Sequence, residues 1–137
     1  MKFPYTRLPN RIKRPIIRIA VEHKGKEIPY FGLIDSGADM NLFHAEIAEL
    51  LGLDLKAGVK QFAGGIVDGE RREYYIHNVT LKIGGWRHEN VRVGFMPSLS
   101  KNGHGLLGQY GLFDLYSIKF NLPKGEIELK EHDPLPY

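Results

Sequence analysis

The segment FGLIDSGADMNLF, residues 31 to 43, places an acidic side chain where an apolar strand would enter a protein core. Phe31, Leu33 and Ile34 lead directly to Asp35, and a Ser-Gly-Ala turn follows at once. Burying a charge is costly unless it is paired or hydrogen-bonded. Either the strand ends at Asp35, or the chain holds this carboxyl group for chemistry.

Short strand-like segments separated by glycine turns make up most of the chain after Pro15. Strands are predicted over residues 16–21 and 27–34, joined by a turn at Lys24 and Gly25. Asp68-Gly69 indicates the tip of a later hairpin, and PKGEIELK, residues 123–130, a final hairpin strand. The pattern predicts a mainly β protein.

One helix is predicted from NLFHAEIAELLGL, residues 41–53, because Phe43, Ile47, Leu50 and Leu51 share one helical face. Asn41 is a candidate N-cap and Gly52 a candidate stop. A second short helix is predicted within LLGQYGLFDLYSIKFN, residues 106–121.

Composition restricts the function classes. The chain has 137 residues, enough for one domain, and no cysteine, which excludes disulfides and thiolate metal sites. The histidines show no zinc-ligand spacing; they are His23, His44, His77, His88, His104 and His132. No metal or cofactor is expected. The N-terminus has no apolar signal region and no segment is long enough to span a membrane, so a cytoplasmic protein is expected.

Basic residues are concentrated near the start of the chain, at Arg7, Arg11, Lys13 and Arg14. They are compatible with a phosphate-binding arm, but a solvated, partly disordered leader is the favoured interpretation, and a nucleic-acid partner is not expected. The expected organisation is a basic leader over residues 1–13, one domain over 14–131 and a tail over 132–137.

Two segments of the chain echo each other. FGLIDSGADMNLF and HGLLGQYGLFDLY share a Gly-Leu strand end, a turn of small residues and a Leu-Phe pair. The matching glycines, Gly32 and Gly105, are 73 positions apart. LIDSGADMN, residues 33–41, resembles the active-site signature of retropepsin-type aspartic proteases. GLLGQYGL, residues 105–112, resembles the second motif of that family, through Leu106, Leu107 and Gly108.

The resemblance implies a retropepsin-like closed β-barrel with one or two short helices. It also implies that Asp35 is the catalytic carboxyl group of an aspartic endopeptidase. Ser36 would hydrogen-bond across the two halves of the site, Gly37 would direct its N–H at the carboxylate, and Ala38 would leave room for the substrate backbone. Two carboxyl groups activate a water in this chemistry and share one proton; aspartic proteases are the standard example of that effect.

Only one Asp-Ser-Gly occurs in the chain, so a homodimer would have to supply the second carboxyl group. An extended peptide is the expected substrate. Asp39 corresponds to a substrate-contacting acid of retroviral members, or is a polar turn residue. Gly64, Gly65 and Ile66 would belong to the flap, although Gly-Gly is also an ordinary turn.

One position departs from the family pattern. Retroviral members carry Arg where this chain has Gln109, and that Arg pairs with the acid at the Asp39 position and helps to lock the dimer. Gln cannot form a bidentate ion pair. The alternative to an enzyme is a retropepsin-like module that binds peptides without cutting them.

Overall fold

The computed structural model describes residues 1–64, 71–100 and 103–132, and only the backbone of Arg71. Its strands are β1 Lys2–Pro4, β2 Thr6–Arg7, β3 Lys13–Arg14, β4 Ile16–His23, β5 Lys26–Ile34, β6 Asn41–His44, β7 Val59–Gly64, β8 Arg71–Ile83, β9 Trp86–Met96, β10 Gly105–Leu107, β11 Tyr116–Asn121 and β12 Glu126–Glu131. Helix α1 covers Ala45–Leu50, and a 3-10 turn covers Leu55–Ala57.

Six strands close into a barrel in the order β4-β5-β10-β6-β9-β8. The closing contact is antiparallel, between β8 and β4, where Val21 faces Leu81. Strand β7 adds to the outer edge of β8, and a separate sheet of β1, β12 and β11 packs nearby. The predicted mainly β fold with a closed barrel is confirmed.

The predicted first hairpin is confirmed as β4 and β5. Its turn has Lys24 at φ 46° and Gly25 at φ 83°, which are the two left-handed residues that a tight hairpin turn requires. Ile17, Ile19 and Val21 alternate inward from β4 and are buried. The hairpin therefore delivers the end of β5 to the barrel.

The core fills the barrel with apolar side chains from every wall. Phe43 is fully buried and meets Tyr30 and Phe95 edge to face, with ring centroids 5.1 and 6.1 Å away. Burying each such side chain contributes roughly 1.5–3 kcal/mol. The other fully buried side chains include Leu107, Leu112, Ile127 and Leu129.

The predicted helix is wrong at its start. Asn41–His44 forms β6, which pairs with β9 and β10, so α1 begins only at Ala45. His44, not Asn41, caps the helix: its Nδ1 accepts from the N–H of Glu46 at 2.9 Å. Gly52 does end the helix, at φ 80°, whereas Leu50 is half exposed and lies off the buried face.

Two other expectations change. Residues 109–115 form successive turns and not a second helix, because Gly111 at φ 108° interrupts any helical path. The first residues, expected to be a partly disordered leader, are instead ordered: β1 pairs with β12, and β2 pairs with β3 in a hairpin. The final hairpin strand is confirmed as β12, paired with β11.

Candidate active site

Asp35 lies directly after β5, where a parallel neighbour fixes the strand end. Strand β10 runs beside β5 with Leu107 opposite Ile34. The N–H of Asp35 donates to the carbonyl of Leu107 at 2.9 Å, so the backbone remains hydrogen-bonded as the chain leaves the sheet. The Asp35 side chain is half-buried, between the core and solvent.

The carboxylate of Asp35 is oriented by the loop that follows it. The N–H of Gly37 donates to Asp35 Oδ1 at 2.9 Å. A Cβ added to Gly37 would lie 3.2 Å from the same oxygen, tighter than ordinary packing. Glycine therefore allows the backbone to approach the carboxylate, which is the geometry expected for the signature.

Residues 35 to 41 are tied to the second motif by backbone hydrogen bonds. Gln109 donates its N–H to the carbonyl of Ala38 at 2.9 Å, and Tyr110 donates to Asp39 at 2.9 Å. A Cβ on Gly108 would come within 2.5 Å of the Ala38 carbonyl oxygen and 2.7 Å of the Met40 one. Gly108 must therefore be glycine for the two loops to meet.

Asn41 is a structural residue of this site that the sequence interpretation missed. Its side chain is fully buried, and its Oδ1 accepts from the N–H of Gly108 at 2.8 Å. Its Nδ2 has no hydrogen-bond partner among the described residues. The sequence suggests Asn41 as a helix N-cap. Its place between the apolar residues Met40 and Leu42 instead indicates a buried side chain, which needs a hydrogen-bond partner.

Gln109, at the position of the family Arg, contacts the signature within its own chain. Its Nε2 donates to the carbonyl of Ser36 at 2.6 Å. This bond connects the second motif to the residue next to Asp35. Ser36 and Gly37 are both exposed, whereas Ala38 is buried.

A groove of about 670 Å³ opens beside the signature. Asp39 lines it from the loop after β5, and Gln61 lines it from β7. The exposed ring of Tyr110 closes another side. Asp39 and a residue of β7 therefore face the same groove. Gly64 ends that strand and is exposed, whereas Gly65, Ile66 and the Asp68-Gly69 tip lie outside the described residues.

The other acidic residues have different surroundings. Asp114 Oδ1 accepts from the N–H of Gly111 at 2.9 Å, and Asp54 precedes the 3-10 turn. Across residues 1–64, 71–100 and 103–132, Gly37 is the one hydrogen-bond donor to the Asp35 carboxylate. The same ranges contain no cluster of three His, Cys, Asp or Glu side chains able to hold a metal ion.

The barrel, with a carboxylate directly after β5 and the Gly-Leu-Leu strand β10 beside it, defines a retropepsin-like lobe. Residues 19–110 match the family model described as aspartyl protease, so the chain belongs to the aspartyl protease family.

One solved structure supports the fold. A retropepsin-like aspartic protease from Rickettsia conorii superposes with a TM-score of 0.64 at 19% identity, over 94% of this chain and 89% of that chain. The inhibitor-bound EIAV protease has a TM-score of 0.49 at 23% identity, over 74% of this chain and 88% of that chain. The search of curated proteins found no match. None of the described helices is long and apolar enough to cross a membrane.

Proposed function

We propose that the protein is an aspartic endopeptidase that works as a homodimer, with one Asp35 from each subunit forming the catalytic pair. The observation that carries the proposal is the Asp35 carboxylate, half-exposed at a strand end and oriented by the Gly37 N–H at 2.9 Å. A carboxylate that is oriented in this way and open to solvent can reach a water molecule and a bound peptide. The family assignment supports the same chemistry.

The second carboxyl group must come from outside the chain. The sequence holds a single Asp-Ser-Gly, and Asp54 and Asp114 lie in other structural contexts. A two-fold axis beside Asp35 brings the same residue from both subunits together. Two such carboxyl groups share one proton, because both cannot be charged at that distance.

The reaction follows from that shared proton. The ionised carboxylate removes a proton from a water molecule as the water oxygen attacks the peptide carbonyl carbon. The protonated carboxyl donates its proton to the carbonyl oxygen, which gives a tetrahedral diol. The carbon–nitrogen bond then breaks as the carboxyl that took the water proton gives it to the nitrogen and one hydroxyl of the diol passes its proton to the other carboxylate. No metal or cofactor takes part in these steps.

The substrate is proposed to be an extended peptide. Exposed backbone at Gly37 and at the β7 edge, with Asp39 and Gln61 facing one groove, suits a peptide that lies as an added strand between loop and flap. We also propose that Ser36, Gly37 and Ala38 support the carboxyl group and that the strand ending at Gly64 belongs to the covering flap.

Cleavage of a diverse peptide library, read by mass spectrometry from acidic to neutral pH, tests this proposal. Wild type should cut, Asp35→Asn should not, and Asp54→Asn should cut like wild type. Activity should fall faster than linearly on dilution, because the dimer is the active form. Cuts made equally by wild type and Asp35→Asn would reveal a contaminant. A folded dimer that cuts nothing at any pH would instead support the peptide-binding module.

A further inference from the structure

The hairpin of β2 and β3, residues 6–14, concentrates positive charge beside the signature. The first 21 residues contain six cationic side chains and no acidic one. The remaining residues contain 13 cations and 16 acids, a net charge of −3. The net positive charge of the whole chain therefore comes from its first 21 residues, which include the hairpin.

The cations of the hairpin have no partners in the described part of the chain. Arg7, Arg11, Lys13 and Arg14 make no ion pair or side-chain hydrogen bond there. Some cations elsewhere do, such as Lys2 with Glu126 and Lys82 with Glu22. The difference at the hairpin is that four unpaired cations lie within eight residues of sequence. Four neighbouring unpaired cations create a positive potential that attracts anionic groups.

The hairpin is held in a fixed conformation. Inside it, Leu8 donates to Ile12 at 2.8 Å and Arg11 donates to Leu8 at 3.0 Å. At its base, the Thr6 hydroxyl donates to the Ile16 carbonyl at 2.7 Å. Its cations are therefore presented in a defined direction and not on a disordered leader.

The base of the hairpin lies next to the candidate catalytic residue. Ile34 donates its N–H to the carbonyl of Pro15 at 2.9 Å, and Ile16 faces Leu33 in the antiparallel register. Extending that register by two pairs sets Arg14 opposite Asp35. Because β5 ends at Ile34, the hairpin continues past the end of that strand, where Asp35 lies.

We propose that the β2–β3 hairpin is a recognition arm for acidic side chains of the peptide substrate, on either side of the bond that is cut. This inference rests on the proposed peptidase function. The arm would therefore contact acids at the positions that flank that bond. The two-fold axis supplies one arm to each side of the cleavage point.

A short acidic stretch of polypeptide fits the arm better than a nucleic acid. A long polyanion needs a continuous basic surface, whereas the rest of this chain has a net negative charge. Glu126 and Glu128, opposite Pro4 and Lys2 in the adjacent sheet, interrupt any basic stripe beyond the hairpin.

The test uses peptides with one cleavable core and Glu, Gln or Lys at the flanking positions. At low salt, wild type should cut the Glu-flanked peptide with a kcat/KM roughly tenfold above the Gln-flanked one, a preference that salt weakens. The pair Arg7→Glu and Arg11→Glu should abolish or reverse the preference. The pair Lys24→Glu and Lys56→Glu makes the same change in net charge at exposed turns and should keep it.

The pair Arg7→Gln and Arg11→Gln should lose the preference without reversing it, which guards against misfolding of the Glu pair. An unchanged preference in both hairpin variants would overturn the proposal. Tight binding of a single-stranded oligonucleotide through the hairpin at physiological salt, with no preference among peptides, would also overturn it.

Failure of the peptidase function can be told apart from failure of this inference. If wild type cuts no peptide, fluorescence anisotropy of a labelled Glu-flanked peptide is measured with Asp35→Asn, with and without the hairpin substitutions. Binding that requires Arg7 and Arg11 supports the recognition arm in a protein that does not cut. Binding that ignores them overturns it.

Discussion

Gly32 and Gly105 lie side by side in the parallel strands β5 and β10, although 73 positions separate them in the sequence. A Cβ on Gly32 would lie 2.6 Å from Leu107 Cγ, and one on Gly105 would lie 2.7 Å from Phe43 Cδ1. Side chains of the core fill the space that both glycines leave. The absence of a side chain at these two positions allows the signature strand and the second motif to pack on the same core.

Replacing Gly105 with alanine should destabilise the barrel. The added methyl group also meets the Leu42 carbonyl oxygen at 3.0 Å, and backbone cannot yield as a flexible side chain can. We expect Gly105→Ala to lower the free energy of unfolding by roughly 1–3 kcal/mol, the usual cost of overpacking. Urea denaturation measures it, with Gly85→Ala as control, because a Cβ there meets nothing within 4 Å. Equal midpoints for the two variants would contradict this account.

Gly37→Ala should reduce cleavage more than it reduces stability. The new Cβ, 3.2 Å from Asp35 Oδ1, would push the loop away from the carboxylate, yet Gly37 is exposed and packs little. We expect kcat/KM on a cleaved peptide to fall about tenfold or more, equivalent to at least 1.4 kcal/mol of activation free energy. The free energy of unfolding should change by less than about 1 kcal/mol. Wild-type cleavage in this variant would show that the Gly37 contact does not matter to the reaction.

Asn41→Asp should make the stability of the fold depend on pH. The introduced carboxyl keeps the acceptor for Gly108 but is fully buried, and burial raises its pKa above the ordinary value of about 3.9. The folded chain then holds the proton more tightly than the unfolded chain, so stability is retained below about pH 4 and lost as pH rises through the folded pKa.

The expected loss for Asn41→Asp is roughly 3–5 kcal/mol at pH 7, where the buried charge has no counterion. Urea denaturation of the variant and wild type at pH 4 and pH 7 measures the difference. An equal loss at the two pH values would mean that packing, and not charge, is responsible.

Gln109→Arg should strengthen the proposed dimer. Gln109 now binds the Ser36 carbonyl within its own chain, whereas Arg at this position could form a bidentate pair with the exposed Asp39 carboxylate. We expect the protein concentration that gives half-maximal specific activity to fall. Gln109→Lys, which adds the charge without the planar fork, should have a smaller effect. If both substitutions change the dilution curve equally, net charge alone explains the effect.

Tyr116→Phe should remove part of the alkaline sensitivity of the fold. Tyr116 is 1% exposed, stacks on Trp86 and hydrogen-bonds His88. Burial, with a smaller contribution from the negative charge of Glu131, raises the pKa of its hydroxyl well above the ordinary value. Its contribution to stability is therefore complete below about pH 10 and is lost as pH rises from there toward the folded pKa.

Thermal unfolding at pH 9 and pH 11 checks this. The wild type should lose more stability between the two pH values than Tyr116→Phe. The variant should be less stable than wild type at pH 9, because it lacks the hydrogen bond to His88. Tyr110→Phe is the matched control, since that ring is 59% exposed and should behave like wild type. A wild-type-like loss in Tyr116→Phe would place the alkaline sensitivity elsewhere.

The sequence predicted those features that depend on local patterns. The β4–β5 hairpin was predicted from alternation and a Lys-Gly turn, and the echo of Gly32 and Gly105 marked two strands that do pair. The start of the helix was missed because NLFH fits both a helix and a strand, and only pairing with β9 and β10 decides for the strand. Long-range contacts of this kind leave no local signal.

The same limit applies to the candidate site. Asp35 and Gly37 were predictable because their contact spans two residues. The bonds from Gly108 to Asn41 and from Gln109 to Ser36 join positions 67 and 73 residues apart, and no short motif describes such pairs.

The pairing of β1 with β12 has a consequence for how the chain reaches its native state. Phe3 sits opposite Ile127, so this sheet joins two ends of a long stretch of polypeptide. During synthesis the barrel strands leave the ribosome well before β12 does. The pairing of β1 with β12 therefore cannot form until β12 has emerged. We expect late-forming protection from hydrogen exchange in this sheet, and a ribosome-bound chain stopped before residue 126 should leave β1 open to proteases.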